Sequence, residues 1–169
     1  MKMIRARMLL GMFVLAVSLS FVTTSCMVVD EFEVLRGSID GVLENMTPTI
    51  SVTDVKMIVD DPAEAANYNI VSVRSADDYA VGHVPGAINI PWKTIAEADN
   101  LKKLDPEKTI ITYCYTGHTG QVACTVLNLL GYEAKNMKFG MMGWTDDPDV
   151  LATTPFDCEP PNYDTEPGA

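Results

Sequence analysis

Between residues 49 and 146 short extended runs alternate with helical segments, and that alternation is the strongest constraint on what the chain can form. The extended runs are 49–52 (TISV), 69–73 (NIVSV), 87–90 (AINI), 109–113 (TIITY) and 133–137 (EAKNM). TIITY is the clearest strand because it is rich in β-branched residues. Helices are expected over 54–60 after the capping Thr53, over 76–81 after Ser75, over 92–104, over 121–130 up to Gly131, and over 140–146. Strands that alternate with helices call for a parallel sheet covered on both faces.

Outside this region the chain changes character. Lys2, Arg5 and Arg7 precede an apolar run from Met8 to Val22, and Thr23-Thr24-Ser25-Cys26 follows. A basic start, a short apolar stretch and small residues form a secretory signal. Residues 1–25 are therefore read as a signal peptide. The placement of Cys26 resembles a bacterial lipoprotein signal, in which that Cys carries the lipid, although Thr23 stands where an aliphatic residue is usual. Cleavage nearby without lipidation is the alternative. Either way the protein is expected outside the cytoplasm, on the membrane through Cys26 if the lipid is attached. Residues 26–48 read as a helical extension, with Phe32, Leu35, Ile39, Val42 and Leu43 at spacings of three and four. From Asp147 to Ala169 the chain is acidic and holds five of its 10 prolines, so an extended tail is expected.

Charge and cysteine usage exclude whole classes of function. The chain carries 12 Lys plus Arg against 23 Asp plus Glu, a net charge of −11. A nucleic-acid partner is excluded because its phosphates need a basic footprint. The 4 Cys, at 26, 114, 124 and 158, show neither a CxxC nor a zinc spacing. No metal and no cofactor is expected.

The candidate chemistry lies at Cys114. It follows the TIITY strand and opens the run Cys114-Tyr115-Thr116-Gly117-His118-Thr119-Gly120, after which a helix begins. Ligands of open α/β sheets gather at the carboxyl ends of strands. A glycine-containing loop that enters a helix lets several N–H groups converge on one anion, including a thiolate. The loop alone also allows a buried structural Cys, which is a common state for this residue.

The neighbouring blocks carry a resemblance. NIVSVRSADDYAVGHVPGAINIP over 69–91 resembles the I-D-V-R, E-Y and G-H-I-P-G-A-I-N-I-P signature of the rhodanese-like sulfurtransferases. Leu130-Gly131-Tyr132 and Phe139-Gly140-Met141-Met142-Gly143-Trp144 resemble that family's L-G-Y and G-G-M-x-x-W segments. The resemblance covers residues 49–146. It implies a three-layer α/β fold with a central five-stranded parallel sheet and helices on both faces. It also implies transfer of sulfane sulfur through a persulfide on Cys114, from thiosulfate, a persulfide or a polysulfide to a thiol or other nucleophilic acceptor. Tyr115, Thr116, Gly117, His118, Thr119 and Gly120 would surround the sulfur donor. A non-catalytic sulfur carrier is the alternative.

Several residues depart from the family pattern. Tyr115 and Thr119 stand where thiosulfate-using members carry Arg, which weakens the case for a dianionic donor. Ser72 replaces the Asp before Val-Arg. The loop holds no Arg or Lys and has the sulfur-sized length, so phosphate and arsenate chemistry is not expected. His83 is read as structural, His118 as either a proton relay or a solvent-facing side chain, and Cys124 as core. Arg74 is expected to pair with Asp77 or Asp78. Trp92 and Trp144 are read as packing anchors.

Overall fold

The computed structural model describes residues 30–151. The signal segment, Cys26, Cys158 and the rest of the tail lie outside the described residues. The elements run α1 (Glu31–Asn45), β1 (Thr49–Ile50), α2 (Val52–Asp60), α3 (Pro62–Ala65), β2 (Tyr68–Ser72), α4 (Ala76–Val81) and β3 (Ile88–Asn89). A 3-10 turn (Trp92–Thr94) follows, then α5 (Ala98–Leu101), β4 (Thr109–Tyr113), α6 (His118–Leu129), β5 (Ala134–Met137), α7 (Gly140–Trp144) and α8 (Pro148–Leu151).

All five strands are parallel, as expected, and they lie in the order β1-β5-β4-β2-β3. β4 lies at its centre, with Ile111 opposite Ile70 on one side and Lys135 on the other. Side chains alternate across a strand, so Ile110 and Ile111 serve opposite faces. Ile110 joins Val71, Cys114, Ala123 and Leu127 beneath α6. Ile111 joins Ile70, Val55, Met137 and Met141 beneath α2 and α7. Burial on both faces explains why β2 and β4 show no strict alternation of polar and apolar residues.

Several local expectations are corrected. Ser51, not Thr53, caps α2: its Oγ accepts from Asp54 N–H at 3.0 Å, so the helix starts at Val52 and shortens the first strand to two residues. The helix expected over 92–104 breaks into the 3-10 turn and the single turn α5, because Asn100 Nδ2 donates to the Thr94 carbonyl at 2.8 Å and closes the chain on itself. The chain does not leave the fold at Asp147. α8 packs on α4 with Leu151 buried, although its prolines and acids suggested an extended tail. α1 forms, yet Phe32, Leu35 and Leu43 of its stripe remain exposed while Ile39 and Val42 are half-buried.

Candidate functional site

β4 delivers Cys114 to the carboxyl edge of the sheet, where the chain turns within four residues and enters α6. Gly117 makes the turn at φ +95°, a left-handed conformation that favours glycine, and α6 begins at His118. A start at Gln121 was expected. The apolar pattern begins only at Val122, because His118, Thr119 and Gly120 occupy a first turn whose N–H groups have no partner within the helix. The residues of the Cys114–Gly120 run are thus brought together as a short loop plus a helix start.

Cys114 is only 2% exposed. Its Sγ accepts a hydrogen bond from the Gly117 N–H at 3.1 Å. The loop carbonyls are held on the other side: Met141 N–H donates to Cys114 O at 2.9 Å and Met142 N–H to Tyr115 O at 3.0 Å. Gly140 permits this approach, since a Cβ there would lie 2.4 Å from the Cys114 oxygen. With the Cys114 and Tyr115 carbonyls engaged by α7, the Gly117 N–H is the donor that faces the sulfur.

Asn136, in β5, is a site residue that the sequence reading missed. It is 5% exposed, and its Nδ2 donates to the Gly117 carbonyl at 3.1 Å. Its Oδ1 has no hydrogen-bond partner and occupies the space that a Cβ on Gly120 would need, at 2.3 Å. The one trace of it in the sequence is an amide inside an expected strand, a group that needs partners once buried. Thr112 adds a second anchor, its Oγ1 donating to the Gly120 carbonyl at 2.9 Å.

Tyr115 turns away from the sulfur. Its hydroxyl donates to the Asp78 carboxylate and accepts from the Ser75 N–H at 3.4 Å. The hydrogen bonds from Ser75 and Tyr115, with the nearby Arg74 charge, hold the Asp78 carboxyl below its ordinary range against a smaller opposing effect of burial. Burial, then the bond to Asp78, pushes the Tyr115 phenol upward. Arg74 does not make the expected ion pair with Asp77 or Asp78. It is 1% exposed and donates to Ser72 Oγ at 3.3 Å, Val150 O at 3.2 Å and the Gly82 carbonyl. Its guanidinium carbon stands 5.6 Å from the Tyr115 ring centroid and 5.8 Å from that of Tyr113. The parallel sheet draws Arg74 inward, where backbone carbonyls and aromatic faces replace a carboxylate.

The remaining candidates are also placed. His118 is exposed, with Nδ1 2.7 Å from Thr116 Oγ1. Thr119 is half-buried on the first turn of α6. His83 lies outside the site, stacked on Tyr79 at 3.9 Å with Nδ1 2.9 Å from the Tyr79 carbonyl oxygen. Cys124 is core, and burial pushes its thiol up to about 11. Trp144 is half-buried, whereas Trp92 is exposed beneath Lys93 rather than buried as an anchor. Beside the loop lies an open cleft of about 780 Å³, bounded by Gly117, His118, Val122, Val126, Lys138 and Phe139. It touches the loop but is not lined by Cys114 itself.

The protein-family comparison matches residues 54–147 to the Rhodanese-like domain. A protein of Mycobacterium tuberculosis named HTH-type transcriptional regulator Rv0324 is 38% identical over 84 residues, covering 48% of this chain and 36% of that protein. The thiosulfate:glutathione sulfurtransferase of Saccharomyces cerevisiae is 32% identical over 105 residues, covering 54% of this chain and 73% of that enzyme. Against several curated relatives the aligned part is only 32% to 38% of their own length. Among solved structures, protein SSP1007 of Staphylococcus saprophyticus is 31% identical with a TM-score of 0.52, covering 60% of this chain and 97% of that one.

Proposed function

Since the chain belongs to the rhodanese-like domain family, we propose that it is a sulfurtransferase carrying sulfane sulfur as a persulfide on Cys114. The observation that carries this reading is the Gly117 N–H donating to Cys114 Sγ at 3.1 Å within a turn whose carbonyls are held away. Amides fixed before the reaction stabilise negative charge without reorganising. The Cys114 thiolate attacks the outer sulfur of the donor. A new Sγ–S bond forms, and the donor's S–S bond breaks, its electron pair leaving with the donor residue as a thiolate or, from thiosulfate, as sulfite. An acceptor thiolate then attacks the outer sulfur, the Sγ–S pair returns to Cys114, and the cycle closes. The yeast relative named as a sulfurtransferase supports the reaction class.

Donor choice follows from the charges around the loop. No Arg or Lys lies within 114–120, and the hydroxyl of Tyr115, which stands where thiosulfate-using relatives carry Arg, is engaged by the Asp78 carboxylate. Persulfides and polysulfides, which need no oxyanion clamp, are the proposed donors. The same absence supports a second reading, a carrier that loads sulfur and hands it to a protein without turnover of small donors. Mass spectrometry after polysulfide treatment is expected to find added sulfur on Cys114 and none on Cys124, and Cys114→Ser is expected to abolish turnover. Loading without multiple turnover would favour the carrier, and sulfur on Cys124 alone would remove the assignment. The N-terminal pattern supports export, with lipid on Cys26; palmitate labelling lost in Cys26→Ala is the expected result.

A further inference from the structure

We propose that the cleft beside Phe139 receives the sulfur acceptor, and that this acceptor is a small organic thiol with an apolar body and a carboxylate. The inference rests on the persulfide reading of Cys114 and adds to it the class of the second substrate.

Phe139 is the sole non-glycine residue with positive φ among the described residues, at φ +62° and ψ 1°. Its side chain is 70% exposed. A left-handed backbone disfavours a bulky residue, and exposure forgoes the stabilisation that burying a ring would bring. Both unfavourable choices fall on one residue, whose backbone N would stand 3.4 Å from a Cβ placed on Gly117. The Phe139 backbone therefore borders the turn that carries the Gly117 N–H to Cys114 Sγ, and both residues line the same cleft. Strain of this kind clusters at active sites and ligand clamps.

The rest of the cleft suits one chemistry. Val122 and Val126 of α6 continue the apolar surface, while Lys138 and His118 stand at its border. In a chain with 23 acidic residues, no described Asp or Glu lines it. An anionic group can thus meet Lys138 while an apolar body lies on Phe139 and Val122. The volume of about 780 Å³ is within the range of small-molecule sites.

Geometry separates acceptor from donor. A donor must reach Sγ, which is buried and outside the cleft lining. An acceptor needs to reach only the outer sulfur, one bond farther out. A thiolate lying over Gly117 attacks that sulfur, an S–S bond forms to the acceptor, and the Sγ–S bond breaks with its electron pair remaining on Cys114. The acceptor leaves as an organic persulfide anion.

Binding and turnover test this separately. Calorimetry with 3-phenylpropanoate, which has no thiol, reads the cleft without requiring any reaction. Phe139→Gly suits the backbone at this position and should fold, and it is expected to weaken binding about tenfold. Lys138→Ala is expected to weaken it about threefold. In the transfer assay with polysulfide as donor, Phe139→Gly is expected to raise KM about tenfold for 2-mercapto-3-phenylpropanoate and to raise it several times less for 2-mercaptoethanol. Equal binding by the wild-type protein and Phe139→Gly, or no binding by either, overturns the inference. Transfer to 2-mercaptoethanol with none to the phenyl thiol also overturns it but leaves the sulfurtransferase reading intact. Binding of 3-phenylpropanoate as expected, with no Cys114 persulfide under any donor, supports the cleft as a site for apolar carboxylates and removes both the acceptor role and the sulfurtransferase reading.

Discussion

The Asn136 amide holds Gly117 from inside the sheet, its Nδ2 donating to the Gly117 carbonyl at 3.1 Å. The peptide plane that follows Gly117 is thereby fixed from β5, while the N–H of the same residue points at Cys114 Sγ. Gln121 N–H also donates to that carbonyl at 3.0 Å, so the turn is held from its own helix and from a neighbouring strand. Asn136 makes no hydrogen bond to the sulfur in this arrangement. It is a positioning residue.

Asn136→Ala removes one hydrogen bond worth about 1 kcal/mol. A loss of about 3 °C in Tm is expected for a chain of this size. The rate of Cys114 alkylation by iodoacetamide, and kcat for sulfur transfer, should fall severalfold beyond what the small stability change explains. Asn136→Asp keeps the shape but presents an acceptor to the Gly117 carbonyl, and is expected to be worse than Ala. Unchanged alkylation in both variants would leave Asn136 with a purely structural part.

Two glycines give opposite expectations for the same substitution. Gly140→Ala places a methyl 2.4 Å from the Cys114 carbonyl oxygen at φ +54°, so backbone must move at the site itself. Loss of activity and a stability loss of at least about 2 kcal/mol are expected. Gly37→Ala in α1 meets nothing within 4 Å and should stabilise that helix by about 0.5–1 kcal/mol. Circular dichroism melts of the two variants check both signs.

The Asp78 carboxyl is held below its ordinary value near 3.8 by Ser75, by Tyr115 and by the Arg74 charge. A lowered carboxyl contributes stability that is present above the unfolded value and is lost as pH falls through the folded one. Tyr115→Phe removes one of the causes. The variant is expected to lose less stability than the wild-type protein as pH drops below 3.8, with little difference in that slope near neutrality, as read from urea midpoints against pH.

Tyr115→Arg tests donor choice directly. A hydrogen bond to a charged group is worth roughly 1.5–3 kcal/mol, so a free guanidinium at 115 would raise kcat/KM for thiosulfate by about tenfold or more. Asp78 stands ready to pair with that guanidinium, which reduces the gain. The double variant with Asp78→Asn is expected to exceed the single one. Efficient thiosulfate turnover by the wild-type protein, unchanged by either variant, would mean that the loop amides suffice.

The strand, Cys114 loop and following helix were legible because apolar periodicity and glycine placement are local properties. The parallel sheet was legible from the alternation and its five strands through the resemblance of three separated blocks, whereas the strand order was not read. Asn136 was not, since its partner is the Gly117 carbonyl, 19 residues away in the chain. Arg74 was read through its sequence neighbours Asp77 and Asp78, whereas its carbonyl partner Val150 lies 76 residues on. The start of α6 was placed three residues late for a related reason: a helix turn that faces a ligand site carries no apolar mark. Local pattern finds elements, and long-range polar pairing decides how a site is held.

A protein trimmed at residue 147, where the family match ends, would keep every strand of the described residues and the whole Cys114 turn. It would nevertheless strip a carbonyl from a guanidinium that water barely reaches, because Val150 supplies one of the oxygens around Arg74. The Val150 side chain also fills the space against Gly82, 2.8 Å from where a Cβ would stand there. Arg74 in turn lies against the ring of Tyr115, the residue next to the reactive sulfur. Four residues past the recognised domain thus act as its keystone, and a fragment that keeps Arg74 held is expected to end at or beyond Leu151.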